Sequence, residues 1–319
     1  MTADPSPETG GPVAAIEATG LRRSFGDAVA VDGVDLSVPE GVLYGLIGPD
    51  GAGKSTLLRM LATVLRPDSG EASVFGASVV HDPDRVTSQI GYMSQQFCLY
   101  PDLTVAENIE FFARLRGVPR AERRTRAASL LAALGLADVT TRRAGRLSGG
   151  MKQKLMLATT LMHEPRLLLL DEPTTGVDPV SRRDFWAILY RLRESGVSIV
   201  MATAYMDEAE RCSRLALFHS GEVRHCDTPA RLKAAMPGAL LAVHAAQPRA
   251  VHRALAGLPG VLGALLMGDR VHVRVDDAAR RVPELETALR SAGIADARID
   301  PAAPGIEDVF VALLGTPAG

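Results

Sequence analysis

The sequence predicts an α/β fold followed by a small α+β domain, and three observations carry that prediction. A short apolar run, Val42 to Ile47, leads into a glycine-rich loop and then into a segment of helical spacing, Leu57 to Leu65, bounded by Pro67. A second apolar run, Leu167 to Leu170, ends in two acids, Asp171 and Glu172. Beyond Met236-Pro237-Gly238 the pattern changes to strand, helix, strand, strand, helix, strand, the order of a split βαβ domain.

The loop between the first run and its helix is Gly48-Pro49-Asp50-Gly51-Ala52-Gly53-Lys54-Ser55-Thr56, which fits G-x-x-x-x-G-K-[ST]. Glycines let backbone N–H groups turn inward around phosphate oxygens, and the following helix adds the partial positive charge of its N-terminus. Lys54 is placed to reach β- and γ-phosphates, and the Ser55 hydroxyl to ligate Mg²⁺. A strand, this loop and a helix make the central sheet that of a P-loop nucleoside triphosphatase.

The other elements follow in order. Ile16 to Phe25 and Ala28 to Val38 alternate as an antiparallel hairpin turned at Gly26-Asp27, so an antiparallel β subdomain is expected beside the sheet. Gly70 to Phe75 is a further strand, and Val86 to Tyr92 runs from a helix into a strand ending at Met93. Thr104 with Glu107 forms a capping box for a helix through Leu115, and a second helix spans Ala121 to Leu134, stopped by Gly135. Ser148 is placed to cap a third, running to His163, so an inserted helical subdomain is expected over about 96–165. A helix Ser181 to Glu194, a strand Val197 to Thr203 and a hairpin turned at Ser220-Gly221 complete a nucleotide-binding domain over 13–236. The C-terminal domain, 239–319, holds strands at Leu240 to His244, Val261 to Met267, Arg270 to Val275 and Ala297 to Ile299. Helices are expected there at Arg249 to Ala256, near Pro283 to Ser291, and finally at Ile306 to Leu314.

Composition narrows the classes. With 47% hydrophobic and 23% charged residues the chain is an ordinary globular one, and a net charge of −2 argues against nucleic acid as a partner. Three cysteines (Cys98, Cys212, Cys226) lack metal-ligand spacing and fit a reducing cytosol. Residues 1–12, rich in Pro, Gly and acids, are expected to be a disordered tail and not a signal peptide. No stretch approaches the ~18 apolar residues of a membrane span.

Asp171 and Glu172 end a buried strand, where parallel sheets present ligands. Asp171 is placed to hold Mg²⁺, directly or through water, and Glu172 to act as general base toward the water attacking the γ-phosphate. Ser148-Gly149-Gly150 opens a helix and is a second anion-binding tip, which suits a nucleotide held by another subunit.

Gly48 to Thr56, Gln95, Leu147-Ser148-Gly149-Gly150-Met151-Lys152-Gln153 and Leu167 to Pro173, in this order, closely resemble the ATP-binding subunit of ABC transporters. The resemblance covers residues 13–230, roughly 70% of the chain. It implies that Phe25 stacks on adenine, that Gln95 joins the Mg²⁺ and γ-phosphate shell, and that Asp178 belongs to the loop linking two sites. Leu147 to Gly150 would then close over the ATP of a second subunit in a head-to-tail dimer. The alternative for Phe25 is a simple core aromatic. The C-terminal pattern, with Gly305-Ile306-Glu307-Asp308-Val309-Phe310, is similar to the tail of the ABC-2 type export subfamily, whose permease is a separate polypeptide. The resemblance thus implies a cytoplasmic ATPase, peripheral on the inner face of the membrane, that drives a separately encoded permease. Phe97, Leu99, Tyr100 and Leu103 are either its docking surface or core.

Two positions depart from the pattern. Ala204 stands where the subfamily usually has a histidine contacting the γ-phosphate, and Asp50 stands where Asn or Ser is commoner. Alanine offers no donor, and losing a preorganised donor can cost on the order of 10²–10³ in rate. A carboxylate near the γ-phosphate repels it unless protonated, turned away or paired. The competing readings are a soluble ABC protein acting on nucleic acid or ribosomes, and a regulatory subunit that barely hydrolyses.

Overall fold

The computed structural model describes residues 14–314; the predicted tail lies outside them. Three strands come first, β1 (Ala14–Phe25), β2 (Ala28–Pro39) and β3 (Leu43–Ile47). Helix α1 (Lys54–Leu61) follows the phosphate loop, then β4 (Ser69–Val74), β5 (Ala77–Ser78), α2 (Pro83–Gln89) and β6 (Ile90–Met93). Helices α3 (Val105–Leu115), α4 (Arg120–Ala133) and α5 (Gly149–Leu161) are followed by β7 (Leu167–Asp171), α6 (Pro179–Glu194), β8 (Ser198–Thr203) and α7 (Met206–Ala209). Then come β9 (Arg214–His219), β10 (Glu222–Asp227) and α8 (Pro229–Ala234). The last stretch is β11 (Ala239–His244), α9 (Pro248–Leu255), β12 (Val261–Met267), β13 (Arg270–Val275), α10 (Ala278–Ser291), β14 (Arg298–Pro301) and α11 (Ile306–Leu314).

By its contacts the chain divides into two compact units: one up to Glu208 together with Cys212–Cys226, and one of Ala209–Arg211 with the residues from Asp227 onward. The first unit holds a six-stranded sheet in the order β10-β9-β3-β8-β7-β6 and a four-stranded antiparallel sheet in the order β2-β1-β4-β5. Every residue of β3, β7 and β8 is buried, as expected of parallel strands covered on both faces. Leu57, Leu58, Met60 and Leu61 of α1 are buried in a core shared with both sheets. Between β6 and β7 the chain is helical, as expected, and Thr104 with Glu107 makes the full capping box of α3.

In the second unit all sheet pairs are antiparallel, in the order β12-β13-β11-β14. That is the arrangement of the expected split βαβ domain, with Val251, Leu255, Leu285 and Leu289 of its two helices packed on Val271, Val273 and Val275.

Several boundaries differ from the sequence expectation. α1 stops at Leu61 instead of Leu65, because Thr63 turns into the left-handed region at φ 61°. Pro67 bounds the segment but does not end the helix. α10 begins at Ala278, five residues before the predicted start, because Asp277 caps it by accepting from the Arg280 amide; Pro283 lies inside the helix. α8 was not anticipated, although Thr228-Pro229 is a start signal and the Thr228 hydroxyl accepts from the Arg231 amide.

Candidate nucleotide site

Register brings the site together. Ile47 of β3 pairs with Thr203 of β8, and Asp171 of β7 pairs with Ala202. Gly48, Glu172 and Ala204 therefore leave the sheet side by side at the C-terminal ends of the parallel strands, although they are far apart in sequence. The Glu172 amide donates to the Ala202 carbonyl at 2.9 Å, holding the acid at a backbone φ of 48°.

The phosphate loop is closed by contacts that only glycine permits. Gly53 has φ 106°, and a Cβ there would lie 2.0 Å from the Ala30 carbonyl oxygen. Lys54 is 3% exposed, and its ammonium donates to the carbonyls of Gly48 (2.7 Å) and Pro49 (2.9 Å). Burial pulls its pKa down, while Glu172, Asp50 and Asp171 pull it up. The nearest carboxylate oxygen, on Glu172, is 4.0 Å away. A buried cation resting on two neutral carbonyls is poised to exchange them for anionic oxygens. Asp50 is exposed at the loop tip, Gly51 is exposed beside it, and Ala52 is buried.

Ser55 donates to Asp171 Oδ1 at 2.8 Å. Asp171 is fully buried, and its Oδ2 has no hydrogen-bond partner. Burial pushes its carboxyl pKa up, against the lowering effects of Ser55, Arg59 and Lys54. An orphaned buried carboxylate oxygen beside a serine hydroxyl is an all-oxygen pair of the kind Mg²⁺ takes, with water and phosphate completing its shell. Gln95, exposed at the end of β6, donates through Nε2 to Glu172 Oε2 at 2.9 Å, and Thr175 Oγ1 donates to the same oxygen at 3.2 Å. Glu172 Oε1 is left facing Lys54.

The remaining predicted residues are placed as follows. Phe25 ends β1 and is 49% exposed, which removes the core-aromatic alternative; the Arg23 guanidinium lies 5.1 Å from its ring centroid. Leu147 is buried, and the Ser148 hydroxyl caps α5 by accepting from the Met151 amide. Gly150 has a packing reason that the sequence did not disclose: a Cβ would lie 2.4 Å from Ser181 Oγ on α6. Among the described residues no hydrogen bond joins Leu147 to Gly150 with the phosphate loop. Asp178 caps α6, accepting from the amides of Val180 and Ser181, and those bonds hold its pKa down. Of the candidate docking residues, Phe97 and Tyr100 are exposed, Leu103 is half-buried and Leu99 is buried.

The family model for ABC transporters matches residues 31–175, from β2 through the loop that follows Asp171. The daunorubicin/doxorubicin resistance ATP-binding protein DrrA of Streptomyces peucetius is 39% identical over 320 residues, covering 96% of this chain and 94% of that protein. The chain belongs to the ABC transporter ATP-binding proteins. The probable multidrug ABC transporter ATP-binding protein YbhF of Escherichia coli (strain K12) is 40% identical over 307 residues, and this chain spans 52% of its length. Among solved structures, a dimeric post-hydrolysis state of the ATP-binding cassette MJ0796, bound to ADP and Pi, superposes with a TM-score of 0.61. It is 28% identical and covers 67% of this chain and 98% of its own.

Sequence reasoning missed Thr175, whose hydroxyl holds the candidate base, and Glu208, which is wholly buried behind the site. Neither lies in a motif by spacing alone. A Thr-Thr pair directly after an acidic strand end was the available signal for Thr175.

Proposed function

We propose that this chain is the ATP-hydrolysing subunit of an ABC-2 type exporter, powering a separately encoded permease for drugs or other amphipathic compounds. The observation that carries the reading is the meeting of Lys54, Ser55, Asp171, Gln95 and Glu172 at the C-terminal end of the parallel strands. In this reading Lys54 moves its donors from the Gly48 and Pro49 carbonyls to the β- and γ-phosphates. Phe25 offers its exposed ring to adenine. Ser55, Asp171 and Gln95 would hold Mg²⁺, which would supply charge neutralisation at the phosphate oxygens. Glu172 accepts the proton of the attacking water. Gln95 has its amide on Glu172 in this structure, so reaching the γ-phosphate shell releases the base from one of its two hydroxyl-or-amide tethers.

Leu147 to Gly150 then serve the nucleotide of a second subunit, and Asp178, fixed as the cap of α6, lies in the loop between the two sites. The dimeric state of the MJ0796 cassette and the resistance-protein name of the Streptomyces relative support this assembly. Phe97 and Tyr100, exposed on the segment after Gln95, present the apolar surface a permease helix needs. No described helix is long and apolar enough to cross a membrane, which suits a subunit that binds one at its inner face.

The test is to purify the full chain with its candidate permease co-expressed, then measure co-purification and Mg-ATP-dependent phosphate release. Both should occur. A chain that binds no nucleotide, or hydrolyses normally but never retains a membrane protein, would defeat the reading.

A further inference from the structure

Glu208 is 0% exposed, four residues beyond the Ala204 switch position. Its Oε1 accepts from Thr174 Oγ1, from Arg182 Nη2 at 3.0 Å and from Trp186 Nε1 at 3.3 Å, and its Oε2 accepts from Thr203 Oγ1 at 2.8 Å. A buried carboxylate is costly unless its lone pairs are used, and here four donors use them. The donors come from three segments that carry the hydrolytic site. Thr174 lies two residues past Glu172, on the way to Asp178. Arg182 and Trp186 lie in the first turns of α6, which Asp178 caps. Thr203 is the last residue of β8, next to Ala204.

Arg182 grips the same stretch from outside. Its guanidinium lies 4.7 Å from the Tyr205 ring centroid and pairs with Asp207 at 3.0 Å as well as with Glu208. Tyr205, Asp207 and Glu208 are thus all held by one cation, and the Tyr205 amide adds a bond to Thr203 Oγ1 at 2.9 Å. We propose that Glu208, with Arg182, is the positioning residue of the hydrolytic site, locking the Glu172–Asp178 loop to the strand end at Ala204. A chain whose switch position has no donor depends on the fixed placement of the base, and this network supplies that placement.

The bland reading is a structural ion pair. Such pairs often add little net stability over apolar packing, and a purely structural role moves the folded fraction without changing turnover per folded molecule. Positioning does the opposite. A misplacement near 1 Å can cost about 10²-fold in rate while leaving ground-state binding alone.

The inference rests on the ATPase reading, and the experiment separates the two. Using the purified full chain, kcat per folded molecule, KM and the affinity for a labelled ATP analogue are measured for wild type, Glu208→Ala, Glu208→Gln and Thr203→Val. Glu208→Ala should lose about 10–10²-fold in kcat, with analogue affinity within about twofold of wild type. Glu208→Gln keeps the volume but turns an amide toward Arg182 and should fall between the two. Thr203→Val removes one donor at constant shape, so it keeps the test decisive if Glu208→Ala does not fold; a fall of about 3–10-fold is expected. Unchanged kcat in both Glu208→Gln and Thr203→Val, or affinity falling in step with kcat, would overturn the inference while the ATPase reading stands. No phosphate release from wild type would overturn both.

Discussion

Asp171 and Asp308 are both buried acids, one in each compact unit, and they differ in what faces them. Asp171 has one oxygen on Ser55 and the other without a partner. Asp308 accepts from His272 Nδ1 at 2.9 Å and from the Gly305 amide at 2.9 Å, so both oxygens are used. The cations divide the same way. Lys54 rests on two neutral carbonyls, whereas Arg281, also buried, meets both oxygens of Asp276 at 2.8 Å and also pairs with Glu284. Arg281 in turn holds the Asp276 carboxyl down to about 2. Charge that folding leaves unmatched marks the place of a charged ligand, while charge matched within the fold serves the fold.

The sharpest way to break this contrast is Glu172→Gln. It keeps the shape and the bonds from Gln95 and Thr175 but removes the base, so phosphate release should fall by about 10²–10⁴ while ATP remains bound. Normal turnover in that variant would remove Glu172 from the chemistry.

Next is Asp308→Ala, which strands His272 and the Gly305 amide. It should destabilise the second unit by about 1–3 kcal/mol in denaturant unfolding and leave ATP affinity within about twofold. A variant with wild-type stability would show that pairing in this unit is incidental.

Asp171→Asn should act in the opposite direction on stability. Burial raises the folded-state pKa of Asp171, so its ionised form is a standing cost at neutral pH that is relieved as pH falls through that raised pKa. In buffer without magnesium or nucleotide the variant should melt above wild type at pH 7–8. The gap should narrow as pH falls through that raised pKa, and turnover should be lost throughout. A lower melting temperature at pH 7 would mean that Asp171 is already compensated.

The smallest effect is expected from Ala204→His. With Glu208 and Arg182 fixing the neighbouring residues, a new imidazole meets an already ordered site, and steady-state phosphate release should change by no more than about threefold. A large gain would favour a site built to hydrolyse slowly, the regulatory reading of Ala204.

Local chemistry made much of this protein legible without coordinates. The phosphate loop, the capping box of Thr104 and Glu107, the cap at Ser148 and the apolar run into Asp171 each depend on residues within a few positions of one another. Their backbone requirements are met by the segment itself, so they can be read from it. The β-α-β-β-α-β order of the C-terminal part was readable for the same reason, through strand alternation and helix spacing. What ends α1 at Leu61 and starts α10 at Ala278 was less so, because Pro67 and Pro283 gave strong signals that the backbone did not follow.

Tertiary structure alone decided the rest. Register between β3, β8 and β7 set Gly48 beside Ala204 and Glu172, and it put His219 at the end of β9, on the other side of β3 from β8. Close approach of α5 to Ser181 explains Gly150, and the convergence of Thr174, Arg182, Trp186 and Thr203 explains how Glu208 can be buried as a carboxylate. Apart from the Thr203–Glu208 bond, these contacts join residues more than about 20 positions apart in the chain. A motif specifies which groups are available; only packing determines which of them face one another and which are left for a ligand.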